Sequence, residues 1–187
     1  RIETFVHRTP VMSSNSINRL AGAKIYFKCE NFQRGGSYKI RGATNAVLTL
    51  PAAKAKKGVA ACSTGNHAVA PSIAAAARGI PVHIAMPRDS AEVKRNAVVE
   101  LGAQVRYCDP TLASRKKAGA ELAAETGAHL VHPSYDPIVI AGQATVMSEF
   151  LEEVPQLDVV MVPVGAGGLI SGCGMVLKAV YPNTMMI

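Results

Sequence analysis

Six short apolar runs separated by segments of helical length constrain this chain more than any other feature. They are "KIYFKCE" at 24–30, "GVAACS" at 58–63, "PVHIAMP" at 81–87, "AQVRYCD" at 103–109, "AHLVHP" at 128–133 and "DVVMVPV" at 158–164. Most lack a polar/apolar alternation, the mark of strands covered on both faces by helices. Three of the intervening segments end on a glycine, Gly79, Gly102 and Gly127, immediately ahead of the next run. Glycine there accepts the left-handed conformation that closes a helix. The unit strand, helix, glycine, strand predicts parallel strands joined by right-handed crossovers. The expected fold class is α/β, with open, mostly parallel twisted sheets carrying helices on both faces.

Local signals set expected boundaries. Asp89 followed by Glu92 reads as a capping box and predicts a helix start near Ser90. Pro71 lies inside "NHAVAPSIAAAARG", and an interior proline costs a helix about 3 kcal/mol, so that helix is expected to begin near Ala70 after a loop. "PSYDP", 133–137, is the best candidate hinge.

A chain that is 49% hydrophobic and 18% charged has the makings of a core and is not disordered. No apolar run approaches the roughly 20 residues that cross a bilayer, and "RIETFVHRTP" lacks a signal-peptide core, so a cytoplasmic protein without membrane contact is expected. The net charge of +7 is scattered, clustering only at "KAKK" (54–57) and "RKK" (115–117). Such runs read as solvated helix ends rather than a nucleic-acid surface, and a small anionic ligand suits the charge equally. Cys29, Cys62, Cys108 and Cys173 lie far apart with no C-x-x-C pair, as small buried residues of a reducing compartment rather than a zinc site or disulfide framework.

Three stretches fall at strand-to-helix turns, where open parallel sheets hold their ligands. "CSTGNHA", 62–68, offers two hydroxyls, a glycine, an amide and an imidazole, although a plain turn favours several of the same residues. "VPVGAGGLISG", 162–172, runs an apolar strand into three glycines and then a helix expected near Leu169; the free N–H groups of such a loop hold phosphate. The dinucleotide fingerprint fails because Ile170 stands where its third glycine belongs, which disfavours a nicotinamide dehydrogenase. "GGSYKIRG", 35–42, combines a flexible approach, Ser37 as a potential cap, and Lys39 in a first helical turn. A cation there opposes the helix dipole, whereas a lysine held neutral or bound as an imine suits the position and can act as nucleophile and base.

In this order, lysine loop, Ser-Thr-Gly-Asn-His loop and glycine cup, the chain resembles the fold-type II pyridoxal-phosphate enzymes, in the branch of serine/threonine dehydratases and serine racemases. The residues that carry the resemblance are "ENFQRGGSYKIRGATNA" (30–46), "STGNHA" (63–68), "HIAMP" (83–87), "GQATVMSE" (142–149) and "VPVGAGGLISG" (162–172), so the similarity runs across nearly the entire chain. It implies the two-domain, tryptophan synthase β-like architecture: residues 1–35 in the large domain, 36–135 as the small domain and 136–187 returning to the large one. Relatives of this kind continue beyond "YPNTMMI", so an N-terminal fragment is expected. The rest of the cofactor-holding domain and any ligands for a divalent cation would lie outside this chain.

The resemblance assigns roles residue by residue. Lys39 would carry pyridoxal 5'-phosphate covalently and later remove the substrate's α-proton. Tyr38 would pack beside the pyridine ring, and Asn66 would hydrogen-bond its phenolic oxygen. Gly165, Ala166, Gly167, Gly168 and Leu169 would wrap the phosphate, and Ser63, Thr64, Asn66 and His67 would receive the substrate carboxylate. The implied activity is deamination of L-threonine or L-serine to a 2-oxo acid and ammonia by an ammonia-lyase, with a homo-oligomer as the full-length state. Serine racemase is the alternative, because racemisation needs a second acid/base group opposite Lys39 and Thr64 places a hydroxyl where related racemases carry serine. A cysteine-synthase-like enzyme fits less well, since that branch usually ends the loop with Thr-Gly in place of Asn-His. An alternative of another class is a truncated, non-catalytic binding module. Ala166 stands where the cup often has glycine and would be strained if its φ had to be positive.

Overall fold

Val59, Val82, Gln104 and His129 begin four parallel strands that the computed structural model, describing residues 1–187, assembles into one sheet. In chain order the elements are β1 (Val11–Ser13), α1 (Asn15–Ala21), β2 (Tyr26–Lys28), α2 (Lys39–Thr49), α3 (Ala52–Ala55), β3 (Val59–Cys62), α4 (Asn66–Arg78) and β4 (Val82–Pro87). There follow α5 (Glu92–Glu100), β5 (Gln104–Cys108), α6 (Leu112–Thr126), β6 (His129–Leu130), α7 (Pro137–Glu153), β7 (Val159–Val160), α8 (Gly168–Val180) and β8 (Met185–Met186). The main sheet runs β5-β4-β3-β6; β1 and β2 form an antiparallel pair, and β7 and β8 a parallel one. No helix is long and apolar enough to cross a membrane.

The central strand β4 is buried at every position, as its unbroken apolar run predicts. Alternate residues serve opposite faces. Val59, Ala61, Val82, Ile84 and Met86 pack with Val47 of α2, Ala68 and Ala75 of α4 and Val98 of α5. Ala85, with Cys62 beside it, packs with Ala118 and Leu122 of α6 on the other face. Gly79 and Gly127 close α4 and α6 in the left-handed conformation, and Gly102 adopts it just past α5.

Four expectations need correction. Helix α4 begins at Asn66, with Pro71 inside it. Proline forfeits one hydrogen bond, to the His67 carbonyl one turn earlier, whereas the helix buries Ala68, Val69, Ala70, Ala74 and Ala75 against the core, which outweighs that loss. The capping box before α5 does not form: Ser90 N–H donates to the Pro87 carbonyl, closing a turn that holds Asp89 ahead of the helix, and Ala91 takes the cap position with no side-chain bond. Ser37 is extended and does not cap α2, whose cap residue is Tyr38. The run 158–164 forms strand only at Val159–Val160, outside the main sheet and paired with Met185–Met186, with Val162 N–H donating to the Ile187 carbonyl just beyond. Among the cysteines, all free, Cys108 and Cys173 are buried while Cys29 and Cys62 are half-buried.

Helices α2, α7 and α8 cross closely through glycines. A β-carbon at Gly142 would lie 2.6 Å from the Arg41 carbonyl oxygen and 2.6 Å from Gly42 Cα, and one at Gly172 would lie 2.6 Å from the Ile140 carbonyl oxygen. The crossings fix the N-termini of α2 and α8 on one side of the molecule, beside the sheet.

Candidate functional site

The strand order reverses at β3: the chain leaves it for β4 on one side, and returns through α6 on the opposite face to place β6 on the other. Such a switch point opens a crevice at the carboxyl ends of the two diverging strands. The loop 63–66 leaves β3 there and the segment 131–136 leaves β6. His67, in the first turn of α4, bridges them. Its Nε2 lies 2.9 Å from the Val131 carbonyl oxygen, so Nε2 carries the proton and donates it. Nδ1 is then a buried acceptor with no partner. Burial pushes the imidazole down to about 4; the Val131 carbonyl works against that, and the nearby Lys39 charge adds to it.

Gly35 and Gly36 both take positive φ ahead of α2. A β-carbon at Gly35 would lie 3.0 Å from Ile73 Cδ1, so the lysine loop rests on α4 through a residue without a side chain. Lys39 opens α2, half-buried, with Nζ 4.9 Å from the centroid of the Tyr38 ring. Tyr38 in turn packs against the cluster that contains Leu169 and Cys173 of α8. The lysine loop therefore rests on α4, the helix that carries His67, and Tyr38 reaches the cluster that holds Leu169 at the start of α8.

In the glycine turn, Gly165 and Ala166 are exposed, Gly167 takes φ 88° as the cap residue of α8, and Gly168 and Leu169 are buried. Ala166 does not adopt positive φ, so its methyl group strains nothing. A β-carbon at Gly168 would lie 2.6 Å from the Pro133 carbonyl oxygen, which seats the turn on the segment after β6. At Gly165 and Gly167 the same addition meets nothing within 4 Å, so the turn's other side is open.

Three helices carry a side-chain cap, and α3 and α5 join α2, α4 and α8 in lacking one. Helices α1, α6 and α7 are capped by the side chains of Ser14, Thr111 and Asp136. Helices α2, α4 and α8 have no side-chain cap and no acidic residue in the first turn. The first N–H groups of a helix have no intrahelical partner, so these ends are available as anion-binding donors. Ser63 Oγ accepts from Gly65 N–H at 3.2 Å, which shapes the loop, and Thr64 is exposed beside it. Asn66 Oδ1 accepts from Lys94 Nζ at 2.9 Å, leaving its NH₂ group for other partners. The Lys39 amine and the uncapped helix ends form a donor set that fits an aldehyde bearing a phosphate, together with a substrate carboxylate.

The feature that sequence reasoning missed lies behind Lys39. Arg41 is fully buried and donates from Nε to Glu30 Oε2 at 2.8 Å and from Nη2 to Glu30 Oε1 at 2.8 Å. It also donates to Glu149 Oε1 at 2.6 Å and Oε2 at 2.8 Å, and to Thr145 Oγ1 at 3.2 Å. Lys28 Nζ joins Glu149 Oε2 at 2.8 Å. Burial works against the charge on Arg41, but the two carboxylates outweigh it and hold the guanidinium above its ordinary range. Burial alone would also raise Glu149, and the hydrogen bonds from Arg41 and Lys28 reverse that, leaving it below the usual carboxylate value. No local signal marked it: Thr44 and Asn45, one turn on from Arg41, give its helix face a polar look.

Residues 2–187 match a family model described as pyridoxal-phosphate dependent enzyme. The chain is 47% identical, over its whole length, to beta-hydroxyaspartate dehydratase of Paracoccus denitrificans and covers 59% of that protein. It superposes on the structure of maize serine racemase with a TM-score of 0.96 at 45% identity, covering 100% of this chain and 56% of that one. The solved T.th. threonine deaminase gives a TM-score of 0.91 at 36% identity, covering 100% of this chain and 60% of that one. The chain thus spans less than two thirds of the length of each of these relatives.

Proposed function

The chain belongs to the pyridoxal-phosphate dependent enzymes, and on that premise we propose that it carries the lysine-bearing part of an ammonia-lyase acting on a β-hydroxy amino acid, serine, threonine or a hydroxyaspartate-like substrate. The observation that carries this reading is Lys39 at an uncapped helix start, with its loop seated on α4 through Gly35 and its neighbour Tyr38 packed into the cluster that holds Leu169 of α8. The β-hydroxyaspartate dehydratase and threonine deaminase relatives support the elimination chemistry.

Bound pyridoxal phosphate supplies the electron sink that lets a proton leave the α-carbon. Lys39 would hold the cofactor aldehyde through its ε-amine, and its Nζ would be the base that accepts the α-proton. The main-chain N–H groups of Gly165, Ala166, Gly167, Gly168 and Leu169 would donate to the phosphate. Tyr38 would wall the ring, and the Asn66 NH₂ group would donate to the phenolic oxygen. Ser63, Thr64 and Asn66 orient the substrate carboxylate. His67, uncharged with its one N–H committed to Val131, has no N–H left for the substrate carboxylate expected of it and instead holds the loop. In domain terms, 36–135 is the small domain, flanked by 1–35 and 136–187 of the large one.

Racemisation is the second reading. It is favoured by Thr64, an exposed hydroxyl in the loop at the β3–β6 crevice, and by the similarity to maize serine racemase. Incubating the full-length cofactor-loaded protein with L-serine, L-threonine and 3-hydroxyaspartate, and measuring 2-oxo acid with ammonia against D-amino acid, separates the two. The elimination reading predicts 2-oxo acid and ammonia in equal amounts as the main products, abolished by Lys39→Ala. Neither product from any substrate would remove both readings.

A further inference from the structure

Arg41 is the largest fully buried side chain of the protein, and the hydrogen bonds that hold it tie together segments far apart in sequence. Its guanidinium joins the loop before α2 through Glu30, helix α7 through Thr145 and Glu149, and the N-terminal segment through the His7 carbonyl at 3.4 Å. Thr9 Oγ1 donates to Glu30 Oε1 at 2.6 Å, and Lys28 Nζ donates to the Thr9 carbonyl at 2.7 Å and pairs with Glu149. Lys28 and Arg41 face Glu30 and Glu149, so this core of the network is electrically balanced.

Stability alone is a poor account of such a cluster. Replacing a buried ion pair with well-packed apolar side chains is often neutral or favourable. What apolar packing does not supply is angular definition, which a guanidinium fork held by two carboxylates does. The start of α2 needs that definition. It follows two glycines of positive φ, has no side-chain cap, and its Ile40 N–H reaches the Ser37 carbonyl only at 3.5 Å. Two residues along a helix turn the side chain by about 200°, so Lys39 and Arg41 leave α2 on nearly opposite sides. An anchor on the inner side sets where the outer side points.

We infer that Arg41, gripped by Glu30 and Glu149, is a positioning residue for Lys39: it fixes the rotation and height of the first turn of α2, and hence where the lysine nitrogen meets a carbonyl carbon. The inference rests on the reading of Lys39 as the cofactor anchor given under Proposed function. It assigns no contact between Arg41 and cofactor or substrate.

The test compares the full-length parent protein with Arg41→Lys, which keeps the charge and loses the fork, and with Val98→Ala, a core truncation on α5 outside the network and the crevice. Each apoprotein is mixed with pyridoxal phosphate and quenched with borohydride at set times, and the phosphopyridoxyl adduct on the Lys39 peptide is quantified by mass spectrometry. Thermal melts are recorded in parallel. Arg41→Lys is expected to slow adduct formation about tenfold or more, in line with the cost of misplacing a reacting group by around 1 Å, while Val98→Ala lowers the melting temperature and leaves the rate at the parent value. Should Arg41→Lys fail to fold, Thr145→Val, which removes the 3.2 Å bond to Nη1 together with the local bond from Thr145 Oγ1 to the Gly142 carbonyl, is expected to slow the reaction by roughly two- to threefold. An adduct that forms in the Arg41 or Thr145 variant at the parent rate, or is slowed equally by Val98→Ala, overturns this inference alone. No adduct on Lys39 in the parent overturns the anchor reading and this inference with it.

Discussion

Replacing Gly142 with alanine tests the helix crossing on which the site is built. In an ordinary helix interior the change favours folding by about 0.5–1 kcal/mol, because glycine loses more backbone freedom than alanine. Here the new methyl would lie 2.6 Å from the Arg41 carbonyl oxygen and 2.6 Å from Gly42 Cα, both of them backbone that no rotamer change can clear. Ordinary contact begins at 3.4 Å, so α7 and α2 must part by roughly 0.8 Å along the line of contact. Overpacking of that kind costs about 1–3 kcal/mol, which exceeds the propensity gain. We expect Gly142→Ala to destabilise by roughly 1–2 kcal/mol in urea titration, with slower loading of Lys39 because α2 moves with its carbonyl. Gly174→Ala is the matched control: on α8 its methyl would meet only the Met186 sulfur at 3.3 Å, the end of a flexible side chain, so it should be neutral or slightly stabilising. A Gly142→Ala protein as stable as the parent would refute the close crossing.

Three further outcomes are expected. His67 takes up its proton near pH 6.5 when unfolded and near 4 when folded, so the stability it contributes is complete above pH 6.5 and is lost as pH falls from there toward 4, by roughly 3 kcal/mol. His67→Gln, which can still donate to Val131, should flatten that part of the stability profile, and an unchanged slope would contradict the buried neutral imidazole. Glu149 has a lowered folded value, so its contribution is present above the ordinary carboxylate value and disappears as pH falls through the folded one. Glu149→Gln should cost about 3–5 kcal/mol at neutral pH in chemical denaturation by leaving Arg41 short of an anionic partner, with the deficit shrinking in acid. Thr64→Ala should lower any D-amino acid product by about tenfold or more in chiral chromatography while elimination stays within severalfold of the parent, and equal losses of both would assign Thr64 to substrate binding alone.

The sheet was legible because its central strands β3 and β4 are buried on both faces and read as apolar runs, and because Gly79 and Gly127 mark where helices stop. Sequence patterns failed where tertiary contacts outvote local ones. Pro71 looks like a helix breaker until the buried alanines around it are counted, and Asp89 looks like a cap until a turn at Pro87–Ser90 holds it away. The candidate site was visible as three motifs, but their convergence depends on the crossing of α2, α7 and α8 and on the strand reversal at β3, neither of which a local window contains. Arg41 was hidden for a related reason. Its partners Glu30 and Glu149 stand 11 and 108 positions away, and nothing local distinguishes a buried arginine from a solvated one.

The central claim is that the amine of residue 39 takes the cofactor aldehyde. Borohydride reduction of the full-length protein loaded with pyridoxal phosphate, followed by proteolysis and fragment sequencing by mass spectrometry, reads that bond directly. The account predicts one phosphopyridoxyl group, on Lys39, and none in Lys39→Ala; a label on any other lysine, with Lys39 unmodified, would contradict it.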